Sequence, residues 1–68
     1  MTTTDFSNVE FRKGMKVVKK DGLTKELIGV DFEHNEVEIK VGIDGIYSEF
    51  ISCDDIDCFI VPVGSVSF

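Results

Sequence analysis

The sequence predicts an all-β domain of five antiparallel strands with one short helical turn before the last strand. Three observations carry this. Apolar residues nowhere recur at helical spacing over three turns, while β-branched and aromatic residues alternate with polar ones. Turn dipeptides punctuate the chain, Asp21-Gly22 and Asp44-Gly45 foremost. The 68 residues, 43% of them hydrophobic, make one domain with a small core and no room for a second.

The elements follow in order. Residues 1–9, "MTTTDFSNV", are small, polar and unpatterned and form a flexible leader; residues 10–68 form the domain. The first strand is "MKVVKK", residues 15–20, closed by Asp21-Gly22. "LIGVDF" (27–32), "EVEIKV" (36–41) and "IYSEFIS" (46–52) make a meander. In "SCDDIDC" (52–58), Ser52 caps a helical turn whose first positions hold Asp54 and Asp55, and Ile56 tucks into the core. The last strand is "FIVPV" from residue 59, with Pro62 ending it or marking a sheet edge.

Two tight turns set the expected register. Asp44-Gly45 as a two-residue turn pairs Val41 with Ser48, Lys40 with Glu49 and Ile39 with Phe50. His34-Asn35 as another pairs Phe32 with Val37, Val30 with Ile39 and Ile28 with Val41. Together they place Ile28, Val30, Phe32, Val37, Ile39, Val41 and Phe50 on the core face. The opposite face then holds Asp31 beside Glu38, Glu33 beside Glu36, and the outward apolar residues Leu27, Tyr47 and Ile51.

Charge is unevenly distributed along the chain. Net charge is −6, but residues 1–26 carry six cations (Arg12, Lys13, Lys16, Lys19, Lys20 and Lys25) against four carboxylates, and residues 27–68 carry Lys40 against nine. The acidic alternation in "DFEHNEVEIK" forces its carboxylates onto one face. That face either keeps the protein soluble or docks a basic protein partner, with Tyr47 as aromatic anchor. The residues expected to contact a partner are Leu27, Asp31, Glu33, Glu36, Glu38, Tyr47 and Ile51. Two alternatives stand beside this. One is nucleic-acid binding through Arg12, Lys13, Lys16, Lys19, Lys20 and Lys25. The other is a small acidic, phage-type inhibitor that mimics nucleic-acid charge. The apolar C-terminal "VGSVSF" offers a route to a homodimer.

The order of elements resembles the small SH3-like β-barrels, including Tudor and KOW-type domains. The residues that carry the resemblance are Val17-Val18, "LIGVDFEHNEVEIKV", "GIYSEFIS" and "CDDI", within residues 12–62. It implies a five-stranded barrel. KOW motifs place basic, glycine-rich loops near the hairpin, where this chain has acids. Methyl-lysine-binding Tudor domains need several cage aromatics, whereas Tyr47 is the only tyrosine here and there is no tryptophan.

Catalytic chemistry finds no support in the sequence. Cys53 and Cys58 lack redox spacing and read as buried, reduced thiols of a cytoplasmic protein. Asp54, Asp55 and Asp57 lack the order of a calcium loop. His34 is a lone turn histidine, and no phosphate loop or nucleophile motif occurs. The expectation is a non-enzymatic protein without metal or cofactor. The N-terminal residues lead one to expect no signal peptide, and no apolar run of membrane-spanning length occurs in the sequence.

Overall fold

A computed structural model describes residues 1–64. Helix α1 (Thr3–Ser7) precedes five strands, β1 (Lys16–Lys19), β2 (Thr24–Asp31), β3 (Glu36–Val41), β4 (Tyr47–Ser52) and β5 (Ile56–Ile60), with a 3-10 turn at Cys53–Asp55. The strands form one antiparallel sheet in the order β4-β3-β2-β1-β5. The all-β expectation holds, and β3 has the bounds the alternation gave.

β2 organises the sheet. Its first residues, Thr24 to Glu26, pair with β1, and its later ones, Leu27 to Asp31, pair with β3. The two edge strands, β4 and β5, are joined only by the 3-10 turn. In a flat sheet they would lie ~19 Å apart at 4.8 Å per strand. A 3-10 segment rises ~2 Å per residue, so four steps cover only ~8 Å. The sheet is therefore curled, and Glu49 and Ile51 of β4 line the same cleft as Lys19 and Lys20 at the end of β1.

Inside the curl lies the core: Phe6, Met15, Val17, Leu27, Val37, Ile39, Ile51, Cys53 and Ile56. Ser52 caps the 3-10 turn, accepting from the Asp54 amide at 3.2 Å, and Ile56 is fully buried, both as the sequence led one to expect. The segment read as a leader is instead built into the fold. Thr2 caps α1 by accepting from the Asp5 amide, and Phe6 is 0% exposed. Phe6, Phe11 and Phe32 form a triangle of rings 5.5–5.8 Å apart, and Phe11 also meets Phe59 at 5.3 Å. Edge-on aromatic pairs of this kind add roughly 0.5–1.5 kcal/mol each beyond simple burial.

Both hairpin registers differ from expectation, for local reasons. Asp31 pairs with Glu36, so the β2–β3 connection is the four residues Phe32 to Asn35 rather than His34-Asn35 alone. The Asp31 carboxylate accepts from the Glu33 and His34 amides at 3.0 and 3.2 Å, which starts the turn early. Asn35 closes it at φ 54°, a left-handed conformation that asparagine tolerates. Further along, Leu27 faces Ile39 while Gly29 faces Glu38, so Ile28 is an extra, bulged residue. On the other side Gly42 adopts φ 91°, which ends β3 at Val41. Val41 pairs with Tyr47 across a five-residue loop, and Asp44 accepts from the Ile46 amide there.

These shifts change which residues are buried. Val30, Val37, Ile39 and Val41 face inward as expected. Leu27 and Ile51, expected outside, are only 6% and 8% exposed, whereas Phe50, expected in the core, is 56% exposed. Ile28 is displaced outward by its bulge, and Phe32 leaves the strand for the turn and its aromatic cluster. A one-residue slip in β4 pairing is enough to exchange Phe50 for Ile51, because strand side chains alternate.

Candidate functional site

The outward side of β2–β3–β4 can be built row by row from the pairing. Across the sheet, Lys40 lies opposite Ser48, Glu38 lies between Gly29 and Phe50, and Glu36 lies between Asp31 and Ser52. Directly opposed residues share a face, so Asp31, Glu36, Glu38 and Phe50 stand on one side, while Glu33 is an exposed residue of the turn outside this pairing. The expected pairs Asp31–Glu38 and Glu33–Glu36 do not form, and the like-charge pair is Asp31 with Glu36. Lys40 does not face Glu49; its ammonium lies 3.4 Å from Glu26.

The carboxylates are held in different ways. Ser48 donates its hydroxyl to Glu38 at 2.7 Å. Asp31 is tied into the turn by its two amide bonds and by the His34 ring, whose Nδ1 lies 2.8 Å from Oδ2. That hydrogen bond holds the Asp31 carboxyl below its usual range, and it raises the His34 pKa, with the Asp31 charge and then Glu36 adding to the effect. Asp31, His34 and Glu36 also bring one potential metal ligand each within 4.8 Å of one another. His34 Nδ1 and Asp31 Oδ2 are already joined by the hydrogen bond, so a cation bound by those two atoms would have to displace its proton. His34, read from the sequence as idle, is thus part of the acidic cluster.

The apolar contact residues are redistributed. Leu27, Tyr47 and Ile51 do share one side of the sheet, but it is the core side, opposite Ile39, Val41 and Val37. Burial takes Leu27 and Ile51 out of reach of any partner. Tyr47 stays 68% exposed because it sits at the rim, beside Gly42, past the end of the core. The aromatic residue on the acidic side is Phe50, which the expected register had buried. Phe50 and Ile51 are adjacent and both apolar, so alternation alone could not say which faced solvent. The second loop glycine, Gly42, was the signal for a longer loop.

The basic positions do not gather into one stripe. Arg12, which pairs with Glu10, and Lys13 precede β1, while Lys19 and Lys20 stand at its far end, ~13 Å on at 3.3 Å per residue. Lys16 lies opposite Glu26, and Lys19 lies 3.6 Å from Asp21. Lys25 is half-buried opposite Val17. Cys53 is buried, but Cys58 is exposed, not buried as expected. The last four residues of "VGSVSF", the expected dimer segment, lie outside the described residues. Among the described residues no helix is long and apolar enough to cross a membrane.

No family model matches the chain, and searches of curated proteins and of solved structures find no match either.

Proposed function

We propose that this chain is a non-enzymatic protein-interaction module that docks a basic partner on the outward side of β2–β3–β4. The observation that carries the reading is Phe50, more than half exposed and directly opposite Glu38, with Glu36 and Asp31 in the next row. An exposed ring among carboxylates supplies both parts of a recognition surface. Aromatic anchors dominate binding energy, and surrounding charge steers encounter and rejects acidic competitors. Phe50 takes the anchoring role first assigned to Tyr47, and Leu27 and Ile51 take none.

The same reading assigns the fold to the SH3-like barrels, on the strength of the sheet order, the shared strand β2 and the 3-10 turn before β5. It places the module in the cytoplasm, a compartment that suits two unpaired cysteines.

The test compares the wild-type chain with a Glu36→Lys/Glu38→Lys variant as baits in extract of the native host, over a series of salt concentrations. Asp31 is left intact because it caps the turn. The reading expects a partner recovered by wild type, lost with the variant, and released steeply as salt rises. Equal recovery by both chains would leave the acidic side with a solubilising role only. A mobility shift of nucleic acid at low salt and micromolar protein would replace this reading with the nucleic-acid alternative.

A further inference from the structure

The partner's mode of attachment can be taken one step further, resting on the reading above. The backbone phase of β4 follows from one bond. The Cys53 amide donates to the Asn35 carbonyl at 2.9 Å, in the same register that pairs Val37 with Ile51, Ile39 with Glu49 and Val41 with Tyr47. In an antiparallel ladder hydrogen-bonded pairs alternate with non-bonded ones. Tyr47, Glu49 and Ile51 therefore direct their N–H and C=O groups to β3, and Ser48 and Phe50 direct theirs off the sheet. Among the described residues β4 pairs with β3 alone.

Of the features that guard a sheet edge, β4 carries only one charge, Glu49, on its inner side. Its sequence, Tyr-Ser-Glu-Phe-Ile-Ser, holds no lysine or proline, and its pairing with β3 has no bulge. A sheet edge with so little protection is open to another strand. The surrounding charge says which kind. Glu38 lies on one side of the edge and Glu49 on the other, β4 carries no cation, and Glu49 has no ion-pair partner among the described residues. A second copy would bring two such acidic edges together, and like charges across strands repel. A basic strand meets a net attraction, because the cleft that Glu49 shares with Lys19 and Lys20 is also lined by Asp21 and Asp55, so its carboxylates outnumber its cations.

We infer that the free edge of β4 takes up an extended, basic polypeptide segment as a sixth strand, bonded to the backbone groups of Ser48 and Phe50. In antiparallel addition the incoming residue opposite Phe50 lies on the outward side and is apolar. The one opposite Glu49 lies on the other side and is cationic. Main-chain bonds supply affinity in this mode, and alternate side chains supply specificity.

Amide hydrogen exchange on the full chain tests this, with blocked (Lys-Val)4 as probe and (Glu-Val)4 as control. Saturating (Lys-Val)4 is expected to slow exchange at Ser48 and Phe50 by about tenfold or more, while Tyr47, Glu49 and Ile51, already bonded to β3, change little. (Glu-Val)4 is expected to do nothing. Ser48→Pro, which removes an edge N–H without touching the β3 ladder, is expected to abolish binding, and Ser48→Ala to keep it. Binding that perturbs Glu36 and Glu38 but leaves exchange at Ser48 and Phe50 unchanged overturns strand addition alone and leaves the basic-partner reading standing. No binding at low salt overturns both. Protection of the two amides without peptide overturns it as well. If that protection is lost on trimming residues 65–68, the chain's own end holds the edge; if it grows with protein concentration, a second copy does.

Discussion

His34 and Asp31 make the turn at the tip of β2–β3 sensitive to pH at both ends of the scale. The His34 pKa is raised above 6.5 by its hydrogen bond to Asp31, so its contribution is complete below pH 6.5 and is lost as pH rises through the folded value. The Asp31 pKa is lowered below 3.8 by the same bond, so its contribution is complete above pH 3.8 and is lost as pH falls through the folded value. The turn is thus firmest between about pH 4 and 6.5, a window bounded by the two unperturbed values. An NMR titration of the His34 ring is expected to give a pKa above 6.5 in the wild type and a lower one in Asp31→Asn; equal values would remove the bond from solution. In the same turn Asn35 holds φ 54°. Asn35→Val, which places a β-branched residue in that region, is expected to cost on the order of 1–2 kcal/mol in urea unfolding, and Asn35→Gly to cost little.

The α1 segment shows how far an element can be misjudged from its composition. "TTDFS" carries a single apolar residue, too little for an amphipathic pattern, and a helix this short has no stability of its own. Phe6 holds it by inserting among core residues and against Phe11 and Phe32. Phe6→Ala is expected to destabilise the fold by about 3–5 kcal/mol, a large fraction of what a domain this small possesses. Loss of the far-ultraviolet β signal or a marked fall in the urea midpoint would show this; an unchanged midpoint would mean that α1 is not docked. The β2 bulge acts likewise. By adding Ile28 to one strand it turns Leu27 into the core while Val30 still faces Val37.

Taken whole, the molecule is acidic over the side formed by β2–β3–β4 and mixed in charge around β1. Asp31 stands directly opposite Glu36, and such like-charge pairs cost roughly 0.2–1 kcal/mol each. Screening should relieve this repulsion within the ~10 Å Debye length of 0.1 M salt. The melting temperature is therefore expected to rise from 10 to 150 mM sodium chloride, and Glu36→Gln to raise it at low salt with less effect at high salt. A fall with salt would mean that the Lys40–Glu26 and Lys19–Asp21 pairs outweigh the repulsion. The same carboxylates that weaken the free protein are those the proposed basic partner would neutralise.

Local patterns carried much of this. Alternation marked β3 to the residue, put Val37, Ile39 and Val41 on one side and gathered Asp31, Glu36 and Glu38 on the other; Ser52 and the aspartates after it marked the 3-10 turn. Such signals lie within a few residues of chain, so the sequence alone is enough to read them. The identity of the exposed aromatic, the burial of Leu27 and Ile51 and the docking of Phe6 were not legible in this way. They depend on where Asp31 and Gly42 begin their loops, on one inserted residue at Ile28, and on contacts between segments far apart in the chain. Period-two patterns are indifferent to a slip of register until packing chooses between neighbours such as Phe50 and Ile51, and that choice belongs to the assembled core.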